Sequence, residues 1–330
     1  MKLLFILKKQ TGYGQYSYSQ TSGLYNSAKF VVDMLVDAGV QAKLVEVTDN
    51  NDIDREVTGY RPDCVIIEAL WVVPEKFDIL KALHPTVEWV VRLHSDLPFL
   101  ATEGIAIQWI FGYLERGIEV APNSPRLARE LFEITGDENI LYLPNYYPVQ
   151  NIKHKGSSLL QVGCFGALRP MKNQLLQAVA AIRYANEHGK QLFFHINGGR
   201  CEQGGDSVLK NLRSLFANTG HFLIEHPWLK RASFLEILSE MDFALAASFS
   251  ETFCITAADA VSTNTPLVCT SEIPWASDLS VVPATDVRAI VRKMNFLSSP
   301  ARYIANALNR RNVKAYSENS KDIWLSRFGA

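Results

Sequence analysis

Short apolar runs alternate along the chain with longer stretches in which apolar residues recur at helical spacing. Residues 2–7 predict an opening strand. A helix is predicted over 24–38, stopping at Gly39, where a left-handed cap is easily adopted. Residues 43–47, 63–67 and 87–93 read as strands, with a helical piece near 75–83. The runs at 120–124 and 140–145 read as the last two strands of this half. Strand and helix in alternation predict an α/β fold with a parallel sheet covered on both faces.

The pattern restarts after residues 148–157 (PVQNIKHKGS), a polar stretch with the composition of a linker. Strands are predicted at 159–165, 192–196, 222–225, 243–247 and 267–269. Helices are predicted at 173–187, 207–216, 231–239 and about 255–262. A short strand at 280–283 and further helices from 286 complete the chain. The expected domains are residues 1–148, a linker at 149–157, a second domain at 158–312, and a last helical segment at 313–330.

At 330 residues the chain is long enough for two domains, each with its own core. A net charge of −1 argues against a broad electrostatic surface for nucleic acid. The apolar start, Leu3 to Leu7, is too short for a signal-peptide core or a membrane span and is followed by Lys8-Lys9. The five cysteines are an odd number without a C-x-x-C pair, so neither a disulfide framework nor a zinc site is indicated. A reducing cytoplasm is the expected compartment, with peripheral association at the inner membrane surface as its variant.

Two short motifs are weak. Gly12-Tyr13-Gly14 begins a dinucleotide-type G-x-G-x-x-G, but Ser17 stands in the third glycine position, so a glycine turn close to a ligand is the better reading. Asp52-Ile53-Asp54 is a D-x-D of the kind that holds a divalent ion in some transferases. It lies in a polar run that reads as a helix start or solvated loop, and no metal is expected.

Two stretches carry more chemistry. Ser248 to Glu272 reads as loop, helix and strand, with Glu251 in the loop and Asp259 eight residues later on the helix. Loops at the carboxyl ends of parallel strands are where open α/β sheets bind ligands. Cys164 to Asn173 links a strand to a helix and places Arg169 and Lys172 near the helix N-terminus, a pairing suited to a diphosphate. His94 closes a strand, again at its carboxyl end.

Ser-Glu-Thr-Phe-Cys-Ile, Ala-Asp-Ala and Asn-Thr-Pro-Leu-Val resemble the signature of retaining nucleotide-sugar glycosyltransferases of the GT-B fold, family 4. The family usually has glycine where this chain has Cys254 and Asn264, and glutamate at Asp259. In its Gly-Arg-Leu…Lys motif, Gly166, Leu168, Lys172 and Asn173 match, while Ala167 replaces the arginine and Arg169 stands two residues on. The resemblance covers the order of motifs over nearly the whole chain and is specific at 163–173 and 248–268.

The resemblance implies two Rossmann-like domains facing a central cleft, with a final helix, residues 316–328, crossing back to the first domain. It implies metal-independent transfer of a sugar from a nucleotide-diphosphate donor to a hydroxyl, with retention of configuration and no cofactor. Arg169 and Lys172 would neutralise the leaving diphosphate. Glu251 would orient the sugar and His94 would touch it. The main chain of Thr252, Phe253, Cys254 and Ile255 would hold phosphate or sugar hydroxyls, and Asp259 the ribose. Gly12, Gly14, Gly166 and Asn173 would line the donor.

The acceptor is expected to be a saccharide or glycolipid, since aromatics such as Tyr13, Trp71 and Trp109 suit sugar faces. A modified DNA base is the lesser option and requires Arg92, Arg126, Arg129, Lys153 and Lys155 to share one face. A sugar-nucleotide-binding protein without turnover and a Rossmann-type NAD-dependent oxidoreductase are the alternatives. Oligomeric state is left open.

Overall fold

The computed structural model describes residues 1–9 and 23–329, so Gly12, Gly14 and Ser17 lie outside the described residues. The chain divides into two compact units, Met1–Tyr147 with Tyr316–Ala330, and Pro148–Ala315.

The first unit runs β1 (Lys2–Lys8), α1 (Gly23–Asp37), β2 (Gln41–Val47), α2 (Asp52–Tyr60), β3 (Cys64–Glu68), α3 (Lys76–Leu83) and β4 (Glu88–Leu93). It continues with α4 (Leu97–Leu100), α5 (Ala106–Leu114), β5 (Glu119–Pro122) and α6 (Pro125–Thr135). The sheet is parallel in the order β2-β1-β3-β4-β5. Side chains alternate across it. Leu4, Ile6, Val65, Ile67, Val91 and Leu93 share one core with α2, α3, α5 and α6. Leu3, Phe5, Cys64, Ile66 and Val90 share the other with α1 and the chain's last turns. Burial on both faces explains why these strands are continuously apolar.

The second unit contains β6 (Leu160–Gly163), α7 (Gln174–Glu187), β7 (Leu192–Ile196), α8 (Gly205–Ala217), β8 (Phe222–Glu225) and α9 (Arg231–Leu238). It continues with β9 (Phe243–Ala246), α10 (Ile255–Ser262), β10 (Leu267–Cys269), α11 (Val287–Leu297) and α12 (Ala301–Phe328). Its sheet is also parallel, in the order β10-β9-β6-β7-β8. Residues of α12 from Tyr316 onward group with the first unit. There Trp324 is fully buried, its indole N–H donates to Pro144 O (2.8 Å), and its ring lies 5.8 Å from that of Phe5.

Two predicted strands are reduced to bridges. Residues 140–145 lie beside β5 but make one bridge, Val120 to Ile140. The last main-chain contact there is Leu143 N–H to Pro122 O (3.1 Å), and Pro144 then has no N–H to extend the ladder. Residues 280–283 likewise make one bridge, Cys269 to Val281, before Pro283. Asp52 and Asp54 sit in the first turn of α2, where Asp52 accepts from Thr48 N–H (3.0 Å). No helix among the described residues is long and apolar enough to cross a membrane.

Candidate active site

In the second sheet β6 leads through α7 to β7 on one side, whereas β9 leads through α10 to β10 on the other. The connections diverge between these two neighbouring strands, and the crevice beyond their carboxyl ends is the usual ligand position in such sheets. The loops leaving β6 and β9 meet there. Phe249 N–H donates to Met171 O (2.9 Å). Gln177, fully buried on α7, donates to Lys172 O (2.8 Å) and accepts from Ala247 N–H (2.8 Å), so one amide fastens both loops. Asn173 donates to Ala247 O (3.0 Å) and Ala284 O (2.7 Å).

These contacts bring Lys172 and Glu251 together, Nζ to Oε1 2.5 Å, with side chains 22% and 7% exposed. Ser248 Oγ donates to the same carboxylate oxygen (2.8 Å). Gly166, at φ 111°, turns the loop as only glycine does comfortably, and its N–H donates to Asn197 Oδ1 (2.8 Å). Cys254 precedes α10 at φ 62°, and the helix starts at Ile255 without a side-chain cap. Burial pushes the Cys254 thiol up to about 12, with Glu251 acting in the same direction, so it stays protonated and is no nucleophile at neutral pH. The Phe253 ring is in the core, 5.9 Å from Trp275, whose indole N–H donates to Phe253 O (2.9 Å). Thr252 stands between Glu251 and Phe253 in this loop.

Other expected site residues are held elsewhere. Arg169 pairs with Glu202 (3.1 Å). Asp259 is buried and bonded to Arg231 at the start of α9. His94 belongs to the first unit, where its Nε2 bonds Glu68 and its Nδ1 lies 3.3 Å from Asn123 Nδ2. Burial and the nearby Arg92 guanidinium lower its pKa against the pull of Glu68. Burial alone would raise the Glu68 carboxyl, but Arg92 and His94 outweigh it and hold it below the usual range.

Arg92 is fully buried and donates to Glu68 (3.2 Å), Leu143 O (3.0 Å) and Asn145 Oδ1 (2.7 Å). This corrects the expectation that Arg92 joins a basic face with Arg126, Arg129, Lys153 and Lys155. Arg126 is bonded to Asp96, and Lys155 to Glu236 (3.0 Å). The burial is tolerated because Glu68, Asn145 and the carbonyls of Leu143 and Pro144 take up the guanidinium's donors. Among the described residues no group of three or more His, Cys, Asp or Glu is arranged to hold a metal ion.

Sequence reasoning missed Gln177, Ser248 and Glu68. The available signal was a polar residue on an otherwise apolar face: Gln177 among Ala178 and Ala181, and Glu68 closing the apolar run of β3.

The fold has counterparts among solved structures. Sucrose-phosphate synthase from Thermosynechococcus elongatus is similar over 99% of this chain and 98% of its own, with 14% identity and a TM-score of 0.67. An α,α-trehalose-phosphate synthase (UDP-forming) from Burkholderia vietnamiensis is similar over 99% and 96%, with 10% identity and a TM-score of 0.66. S. aureus TarM, in a complex with UDP and α-GlcNAc-glycerol, matches 81% of this chain at 14% identity and a TM-score of 0.64. The chain spans only 55% of that TarM chain. The fold is GT-B. No protein-family model matches the chain, and no curated protein matches it by sequence.

Chemically, the crevice offers one ammonium and one carboxylate in contact, at a switch point, beside the N-terminus of a helix. Such a helix end and ammonium attract a phosphate, and the carboxylate accepts hydroxyl protons.

Proposed function

We propose that the chain is a glycosyltransferase that moves a sugar from a nucleoside-diphosphate sugar to a hydroxyl acceptor, with retention of anomeric configuration and without a metal. The observation that carries this reading is the Lys172–Glu251 pair at the divergence of β6 and β9. The GT-B fold and the motif resemblance at 163–173 and 248–268 support it.

In this reading Lys172 binds the diphosphate and offsets the charge that grows on it as the sugar's anomeric bond to oxygen breaks. Losing such a contact typically costs about 3 kcal/mol of barrier, ~100-fold or more in rate. The main chain at 252–255 approaches the phosphates or sugar hydroxyls, and Glu251 accepts from a sugar hydroxyl. The acceptor oxygen bonds to the anomeric carbon on the face the phosphate leaves, and its proton passes to the departing phosphate oxygen. Arg169 reaches the phosphates after exchanging Glu202 for them. Asp259 binds the ribose after exchanging Arg231. A saccharide is the acceptor class.

A second reading, donor binding without turnover, draws on Ala167, which is buried where the resembled family carries arginine. Differential scanning fluorimetry with UDP, GDP, ADP, CDP and NADH, on the native chain and on Lys172→Ala, tests the donor site. The expected result is stabilisation by one nucleoside diphosphate, at most weak in the variant. A response to NADH alone removes the proposal. Proton NMR of the matching nucleotide sugar then separates the two readings, because an active transferase slowly releases free sugar and a binder does not.

A further inference from the structure

A groove of about 850 Å³ in the second unit lies away from these loops. It is formed by the start of the unit around Asn151 to His154 and by the first half of α12. Asn264, just past the last residue of α10, borders it. Glu251 precedes the other end of that helix, about 12 Å away at the helical rise.

Its lining is one-signed. Lys153, Arg302, Arg310, Arg311 and Lys314 are its charged lining residues; the carboxylate of Asp242, which is not part of the lining, interacts with Arg302 and His154. The chain as a whole carries a net charge of −1, so this concentration of cations is not a reflection of overall composition. Positions 302, 306, 310 and 314 repeat every four residues and fall along one side of α12, with 303, 307 and 311 beside them. Ala307 between the long side chains leaves the floor open.

Arg310 serves the fold. It donates to Gln150 O (2.6 Å), to Val261 O (2.8 Å) and to Asn264 Oδ1 (2.8 Å), closing the carboxyl end of α10. Arg302 lies over the Tyr303 ring, 4.9 Å from its centroid, and that tyrosine is 64% exposed. Lys153, Arg311 and Lys314 are exposed.

Asn306 adds a second requirement. It is 7% exposed and its Nδ2 donates to Asn264 O (2.8 Å), which fixes the amide, yet its Oδ1 has no partner. The Nδ1 of His154, also on this lining, is likewise without a partner. An unpaired buried amide oxygen calls for a hydrogen-bond donor, which a bare phosphate at neutral pH supplies poorly and a hydroxyl supplies well. Cations around a carbonyl acceptor, with an exposed aromatic ring at the rim, describe a ligand carrying phosphate and hydroxyl groups together. The volume is that of a small-molecule site.

We propose that this groove is a second ligand site, distinct from the candidate active site, that binds a phosphorylated polyol or sugar: its phosphates on Lys153, Arg302, Arg311 and Lys314, a hydroxyl on Asn306 Oδ1. The same chemistry is presented by a free sugar phosphate and by a glycerol-phosphate lipid headgroup. The site does not depend on the transferase reading.

Isothermal titration with fructose 1,6-bisphosphate and co-sedimentation with phosphatidylglycerol vesicles, at fixed low salt, separate the sources. The double variant Arg311→Glu/Lys314→Glu changes two exposed side chains, and Lys81→Glu/Lys210→Glu, at exposed positions that do not line the groove, is the charge-matched control. Equal melting temperatures verify that both fold. Saturable binding of the bisphosphate, weakened at least about tenfold in the first variant and retained in the control, supports the site with a free phosphate as ligand. Vesicle binding alone with that same dependence supports it with a headgroup. Binding of neither probe, or binding equally affected by both variants, overturns it. Arg302→Ala, read by the same titration, checks the conclusion with a substitution that introduces no negative charge.

Discussion

Exchanging Glu251 for glutamine separates two roles that Lys172 can have. At 2.5 Å between Nζ and Oε1, the gross attraction at an effective dielectric of about 20 is ~7 kcal/mol. Most of it is offset by desolvation of two side chains that are 22% and 7% exposed, which leaves a coupling of about 1–3 kcal/mol. In the proposed reading Glu251→Gln removes a carboxylate that the diphosphate displaces, so binding of the nucleoside diphosphate that stabilises the chain should tighten by up to about tenfold while sugar transfer falls. Lys172→Met removes a charged donor and should weaken binding of that nucleoside diphosphate by about 10- to 100-fold. It also leaves the carboxylate with Ser248 Oγ at 2.8 Å as its remaining partner in this pair of contacts, at a stability cost of about 1–3 kcal/mol. Titration calorimetry with the same nucleoside diphosphate on the native chain, both single variants and the double variant, with urea unfolding of each, gives every leg of the cycle. If both single variants weaken its binding equally, the pair acts as a structural unit and Lys172 is not the phosphate ligand.

Other consequences are independent of the donor. Arg92→Met strands the buried Glu68 carboxylate and should cost about 3–5 kcal/mol in urea unfolding, part of which Glu68→Gln restores in the double variant; a loss below about 1 kcal/mol contradicts the network. His195 bonds Gln161 (2.5 Å) and His226 (2.8 Å), and burial, then His226, lower its pKa to about 4. Because the folded pKa lies below the unfolded one, the unfolded chain binds the extra proton as pH falls. This residue's contribution is full above about 6.5 and declines towards 4, by about 2 kcal/mol at pH 5. Unfolding midpoints across pH 8 to 5 should fall less steeply in His195→Gln, and parallel profiles contradict the assignment. Cys254→Gly relieves a left-handed residue at φ 62° but adds chain entropy, so its stability should change by no more than about 1 kcal/mol. Asn264→Gly loses bonds to Ile152 O and Arg310 and should cost about 1–3 kcal/mol; equal effects of the two glycine variants in urea unfolding refute this balance.

The inner strands β1, β3 and β9 are legible because parallel strands buried on both faces are apolar runs, whereas the edge strands β2 and β8 are half-exposed and carry a weaker signal. Helix α6 was equally open to prediction: Ser124 accepts from Leu127 N–H, Pro125 follows, and Gly136 closes the helix at φ 63°. The run at 140–145 has strand composition, yet its pairing ends at two prolines, and composition does not register a missing donor. The chemical types at the site were readable, but not the contact between Lys172 and Glu251. They are 79 positions apart, and they meet because β6 pairs with β9, a matter of strand order that local periodicity does not encode. Gln177 and Glu68 were hidden in the same way. Each is a polar residue in an apolar pattern whose partner arrives from a distant element.

The departures from the resembled motifs take on a different meaning once the backbone is known. Gly166 is kept at φ 111°, outside the left-handed helical region and comfortable only for glycine. Cys254 and Asn264, where the family usually has glycine, sit at φ 62° and 58°, inside the region an L-residue can enter at about 1–2 kcal/mol. The two non-glycine residues thus stand where the backbone is open to an L-residue, and the glycine stands where it is not. Asparagine is among the residues that tolerate this region best, and the Asn264 side chain adds bonds to Ile152 O (2.8 Å) and Arg310 (2.8 Å) that glycine lacks. What the exchanges alter is side-chain chemistry: a thiol beside Glu251 at one end of α10, and an amide bordering the basic groove at the other. A sequence comparison that scores these positions as lost glycines registers a weakened motif, whereas the backbone they occupy still has the left-handed turn that glycine serves.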